Sequence, residues 1–121
     1  MALTLEELEH IIVTYNDYLQ RVTEVIRHIC DDIRETEYAA VQRILPGLVE
    51  GIAWLFDAAE GLNGMGLIEE AKLIEFQNVI GDLQVIMERR DWLSMYLLLS
   101  HRLFPILMDL RVASLSQKAN T

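Results

Sequence analysis

Apolar residues recur along the first third of the chain at Leu8, Ile12, Tyr15, Leu19, Val22, Ile26, Ile29 and Ile33, in alternating steps of four and three. This heptad seam predicts a helix over about residues 5–34. Thr4 followed by Glu7 reads as a capping box at its start. Such a helix would be roughly 45 Å long, and a helix of that length needs partners along it to be stable.

The pattern returns at Tyr38, Val41, Leu45, Leu48, Ile52, Leu55 and Ala59, predicting a second helix over about residues 37–60 with Thr36 as its N-cap. The link is too short for anything but two antiparallel neighbours. Pro46 interrupts this helix without shifting the seam, so a kink is expected in place of a stop, at a cost of about 3 kcal/mol. The glycine-rich stretch Gly61-Leu62-Asn63-Gly64-Met65-Gly66 reads as a turn throughout. Leu73, Phe76, Ile80, Leu83 and Met87 then mark a third helix over about residues 67–89. Asp91 is placed to cap a fourth over about residues 92–115, with Trp92, Tyr96, Leu99, Leu103, Ile106, Leu110 and Ala113 as its seam. The polar tail Ser116–Thr121 is expected to fray. The fold expected is therefore all-α, an antiparallel up-down four-helix bundle forming one domain over residues 1–121.

A faint internal echo accompanies this layout. Arg43-Ile44-Leu45-Pro46 resembles Arg102-Leu103-Phe104-Pro105, and Leu48-Val49-Glu50 resembles Leu107-Met108-Asp109 at the same offset. Two pseudo-symmetric helical hairpins, each with a proline-kinked second helix, would produce it; so would chance over a match this short.

Charge narrows the functional classes. The chain carries 19 acidic against 10 basic residues, a formal net charge of -9. That balance repels phosphate backbones and anionic lipid surfaces, so neither nucleic acid nor membrane is an expected partner. Fully apolar runs are short, such as Leu97-Leu98-Leu99, and no membrane-spanning segment is expected. Cys30 is the one cysteine, so no internal disulfide forms; with no signal-like N-terminus, a cytoplasmic location is expected.

Three surfaces emerge as candidate sites. Up-down connectivity gathers Glu6, Glu7, Glu9, Asp57, Glu60, Glu69 and Glu70 at one pole. Glutamates in first turns offset helix dipoles, whereas Asp57 and Glu60 at a helix end would not, which leaves room for a basic partner or a cation. On the fourth helix Leu93, Leu97, Phe104 and Leu107 form a second apolar stripe, explained either by a partner or by a wide core face. On the second helix Ala40, Gly47, Gly51, Trp54 and Ala58 form a small-residue face with an aromatic anchor, suited either to close packing within the bundle or to a partner helix.

Catalytic and metal chemistry finds little support. Di-iron bundles need two Glu-x-x-His pairs with further glutamates, all facing inward; Glu7 and His10 make one such spacing, off the seam. Asp31 and Asp32 follow Cys30 directly, which disfavours a thiolate. Ser94 and Ser100 have His101 nearby but no strand-turn-helix elbow. The expectation is therefore a non-enzymatic interaction module without metal or cofactor: a small acidic adaptor, regulator or export-type chaperone that binds a helix of a partner protein. A homodimeric structural bundle is the first alternative. A bundle holding a small molecule, or an enzyme, near Pro46 and Pro105 is the second.

Overall fold

The structure is a computed structural model that describes residues 3–113. Its described residues form four helices and no strands: α1 (Leu5–Arg34), α2 (Tyr38–Gly64), α3 (Glu70–Arg89), and a fourth built of α4 (Trp92–Leu98), a π-helical turn (Leu99–Leu103) and α5 (Phe104–Asp109). The α1 seam is buried at every position from Ile12 to Ile33. It meets the buried faces of α2, α3 and the fourth helix in one core. Contacts between helices run in opposite numerical order. Arg34 lies over the ring of Tyr96 and Arg27 over that of Phe104, while Tyr15 donates from its hydroxyl to the carbonyl of Leu110. Between α3 and the fourth helix, Arg102 pairs with Asp82 and Lys72 reaches the carbonyl of Asp109.

The helix starts follow local chemistry. Thr4 accepts from the amide of Glu7, as the capping box requires. Asp91 accepts from both the hydroxyl and the amide of Ser94, and these two bonds hold its carboxyl below the usual carboxylate range.

The helix ends share one device that the sequence reading placed wrongly. Glu37 donates its amide to the carbonyl of Asp32 and Thr36 to that of Ile33. Leu67 and Gly66 bond likewise to Leu62 and Asn63, and Asp91 and Arg90 to Ile86 and Met87. Each pair is a Schellman motif, which needs a left-handed residue just past the helix. Those residues are Thr36, Gly66 and Arg90, the three with positive φ. Thr36 thus closes α1 and does not cap α2, whose N-cap is Glu37. A β-branched residue at φ 58° is strained. Thr36→Gly is expected to stabilise the protein by about 1 kcal/mol, seen as a higher urea midpoint with an unchanged slope; a lower midpoint would show that Thr36 is held by something other than this turn.

The glycine-rich stretch is also not all turn. Gly61 to Gly64 continue α2, because Leu62 carries the apolar seam one step further into the core. This moves Asp57 and Glu60 off the helix terminus, where dipole effects fade within a turn. The fourth helix ends at Asp109 instead of continuing to 115; residues 110–113 are not helical, and Leu115 and the tail Ser116–Thr121 lie outside the described residues. Ala113, placed on its seam, is exposed. The chain leaves this helix because Asn16 of α1 takes over the backbone of Val112, donating to its carbonyl at 2.7 Å and accepting from its amide at 3.1 Å.

The two prolines sit in unlike settings. Pro46 lies inside an unbroken α2, whereas Pro105 follows the π turn. One measure departs from expectation: α2 is long and apolar enough, by length and composition, to cross a membrane. Scattered polar positions keep its uninterrupted apolar runs short without preventing a high average. A third of that apolar stretch is buried (33%).

Candidate functional site: the groove between the first two helices

The fourth-helix stripe does not survive as one surface. Leu93 and Leu97 are exposed (68% and 45%), Phe104 is half-buried beneath Arg27, and Leu107 is fully buried at 0%. The π turn is the cause. A π turn takes in about one extra residue, and one residue of an α-helix is about 100° of rotation. Up to the first residue of the turn the buried positions are Met95, Leu98 and Leu99; from its last residue onward they are Leu103, Ile106, Leu107 and Leu110. On an unbroken helix Leu107 would follow Leu93 and Leu97 outward. The turn swings it into the core and leaves Arg102 and Asp109 outside.

The small-residue face of α2 divides in a different way. Gly51 is buried: a Cβ there would stand 3.3 Å from the hydroxyl of Tyr18 and 3.4 Å from Val22. It is therefore part of the α1–α2 contact. Gly47 and Gly61 face open space, with nothing within 4 Å of a would-be Cβ. Trp54 remains exposed at 44%, its ring tilted against that of Tyr18 with centroids 4.4 Å apart.

These residues line a groove between α1 and α2 in two sections. One, of about 360 Å³, is walled by Ile11 and Thr14 of α1 and by Trp54, Ala58, Gly61 and Met65 on the other side. The next, of about 280 Å³, lies between Tyr18, Arg21 and Val25 on α1 and Ile44, Gly47 and Gly51 on α2. Ile44, Gly47, Gly51, Trp54, Ala58, Gly61 and Met65 step by three and four, a second heptad seam beside the buried one. On α1, Ile11, Tyr18 and Val25 repeat every seven residues in the same way. Of the α2 face read from the sequence, Gly47, Gly51, Trp54 and Ala58 line this groove and Ala40 does not; Ile44, Gly61, Ile11, Tyr18 and Met65 were missed. Their signal was that seven-residue spacing, masked by the stronger seam next to it.

Of the acids named for one pole, Glu6, Glu7, Asp57, Glu60, Glu69 and Glu70 are exposed and Glu9 is half-buried. Among the described residues no group of three or more His, Cys, Asp or Glu side chains is arranged to hold a metal. Cys30 is buried, and burial is the main reason its thiol is pushed up, opposed by Arg34 and reinforced by Asp31. The hydroxyl of Ser100 donates to the carbonyl of Tyr96.

An all-helical protein of four helices with an open apolar groove along two of them is the class that this geometry defines. A family pattern described as a domain of unknown function, DUF8042, matches residues 10–113, and the chain belongs to that family. No curated protein and no solved structure matches the chain.

Proposed function

We propose that the protein is a non-enzymatic binding module whose α1–α2 groove receives an amphipathic, basic helix of a partner protein, and that its four helices form an antiparallel up-down bundle bent at Pro46. The observation that carries the reading is the second heptad seam, left open over two groove sections and floored by Gly47, Gly61 and Ala58. Small residues let a backbone approach closely, and an exposed Trp54 offers the kind of aromatic anchor that dominates helix-in-groove recognition. Glycine inside a helix costs roughly 0.5–1 kcal/mol relative to alanine. Gly47 and Gly61 incur that cost although nothing in the fold needs the space above them. Charge selects the partner. Glu7, Asp17, Glu50, Asp57 and Glu60 are exposed on the same two helices of a chain with net charge -9 and outnumber Arg21 of the groove wall and Arg43 of α2, so lysines or arginines flanking the apolar face of the incoming helix are favoured.

The test uses Trp54 as the reporter in a Trp92→Phe background. A Leu/Lys amphipathic helical peptide is expected to bind with a blue-shifted Trp54 emission, and its Leu/Glu counterpart is not. Gly47→Gln and Gly61→Gln should weaken binding by roughly tenfold or more while leaving the protein at least as stable. Gly81→Gln, on an exposed glycine of α3 with equally open surroundings, should bind like the parent. Equal affinity across the three glycine variants would overturn the proposal.

A further inference from the structure

We infer that a second groove, between the C-terminal half of α1 and the π-helical turn, is a binding site for a small apolar carboxylate. The groove encloses about 350 Å³ and is lined by Ile26, Cys30, Tyr96 and Phe104, with Arg27 and Arg34 on its α1 side. The two arginines stand one heptad apart, roughly 10 Å along the helix axis. Each is held against an aromatic ring on the opposite wall. The guanidinium of Arg27 lies 5.0 Å from the centre of Phe104 and that of Arg34 5.9 Å from the centre of Tyr96. Cation–π contacts of this kind fix the guanidinium plane while leaving its N–H edge available to a ligand.

The π turn builds the second wall. Residues four apart drift by about 40° on an α-helix but fall close to one line where the helix widens to a π turn. Tyr96, Ser100 and Phe104 are spaced in that way and all line the groove. The same turn that swings Leu107 into the core therefore sets these three facing Arg27, Cys30 and Arg34. π turns inside α-helices are uncommon and recur at functional sites.

The charge of the ligand follows from the partners. Arg34 is engaged by Asp31, whereas Arg27 makes no ion pair among the described residues. One guanidinium is thus free to meet one negative charge, and Asp31, at the same wall, opposes a second. The apolar lining suits a flat or short aliphatic body, and a carboxylate matches the planar fork of arginine. This site is separate from the α1–α2 groove, so either can fail without the other.

The probe is 2-naphthoate, titrated into the full chain and followed by amide and arginine side-chain NMR shifts, with 2-naphthalenemethanol as its uncharged counterpart. Saturable binding is expected, with shifts centred on Arg27, Ser100 and Phe104. Arg27→Gln should weaken binding roughly tenfold, in keeping with loss of a charge-assisted hydrogen bond, with the far-ultraviolet circular dichroism unchanged. Trp54→Ala should bind as the parent does. Absence of saturable binding, equal binding of the alcohol, an unchanged affinity in Arg27→Gln, or shifts centred on Trp54 would each overturn the inference.

Discussion

Leu107→Ala is expected to lower folding stability by about 3 kcal/mol, and Leu93→Ala to change it by no more than about 0.5 kcal/mol. Both leucines belong to one stripe on a straight helix, and equal effects would follow if the fourth helix were straight. The π turn at Leu99–Leu103 separates them. Leu107 is fully enclosed and Leu93 is 68% exposed, so truncating the first opens a cavity and truncating the second removes surface already in water. Urea unfolding of the two variants measures the difference directly. A small loss at Leu107 would mean that the helix keeps its phase through Ser100 and that the groove wall of Tyr96, Ser100 and Phe104 is not formed.

Asn16→Ala is expected to cost about 2–3 kcal/mol, a large effect for a polar side chain on a helix surface. The reason is that Asn16 serves both backbone groups of Val112, and Val112 is itself buried. Removing the amide leaves a donor and an acceptor without partners, and each such group costs roughly 1–3 kcal/mol. Tyr15, one residue earlier, anchors the same segment through Leu110. Burial pushes its hydroxyl well above the usual tyrosine range. The unfolded chain loses this proton first, so the contribution of Tyr15 is whole below the ordinary value of 10.0 and declines as pH rises above it. Tyr15→Phe should lower stability by about 1 kcal/mol at neutral pH and make the decline above pH 10 shallower than in the parent. An Asn16→Ala variant as stable as the parent would show that the segment after Asp109 does not depend on this clasp.

The seams of α1 and α2 could be read directly, because a heptad repeat over many turns records which face is enclosed. The α1 boundaries followed from Thr4, Glu7 and the last seam residue, Ile33. The small-residue wall of α2 was visible as Gly47, Gly51, Trp54 and Ala58, yet only packing could separate Gly51, which Tyr18 covers, from Gly47, which nothing covers. Thr36 looked like a helix start because threonine favours that place on average. Its positive φ is imposed by the hydrogen bonds that close α1, a demand that overrides the preference of the residue.

Local periodicity was therefore enough to establish an all-helical chain of four segments, since amphipathic spacing is a property of neighbours along the chain. The phase of the fourth helix was settled elsewhere. Seven-residue steps at Trp92, Leu99, Ile106 and Ala113 fit a straight helix as well as a widened one. What selects the π turn is the requirement that Leu103, Ile106, Leu107 and Leu110 all reach a core shared with α1 and α3, while Asn16 waits at its far end to take the chain out of the helix. That requirement involves residues far apart in sequence, and no local pattern carries it.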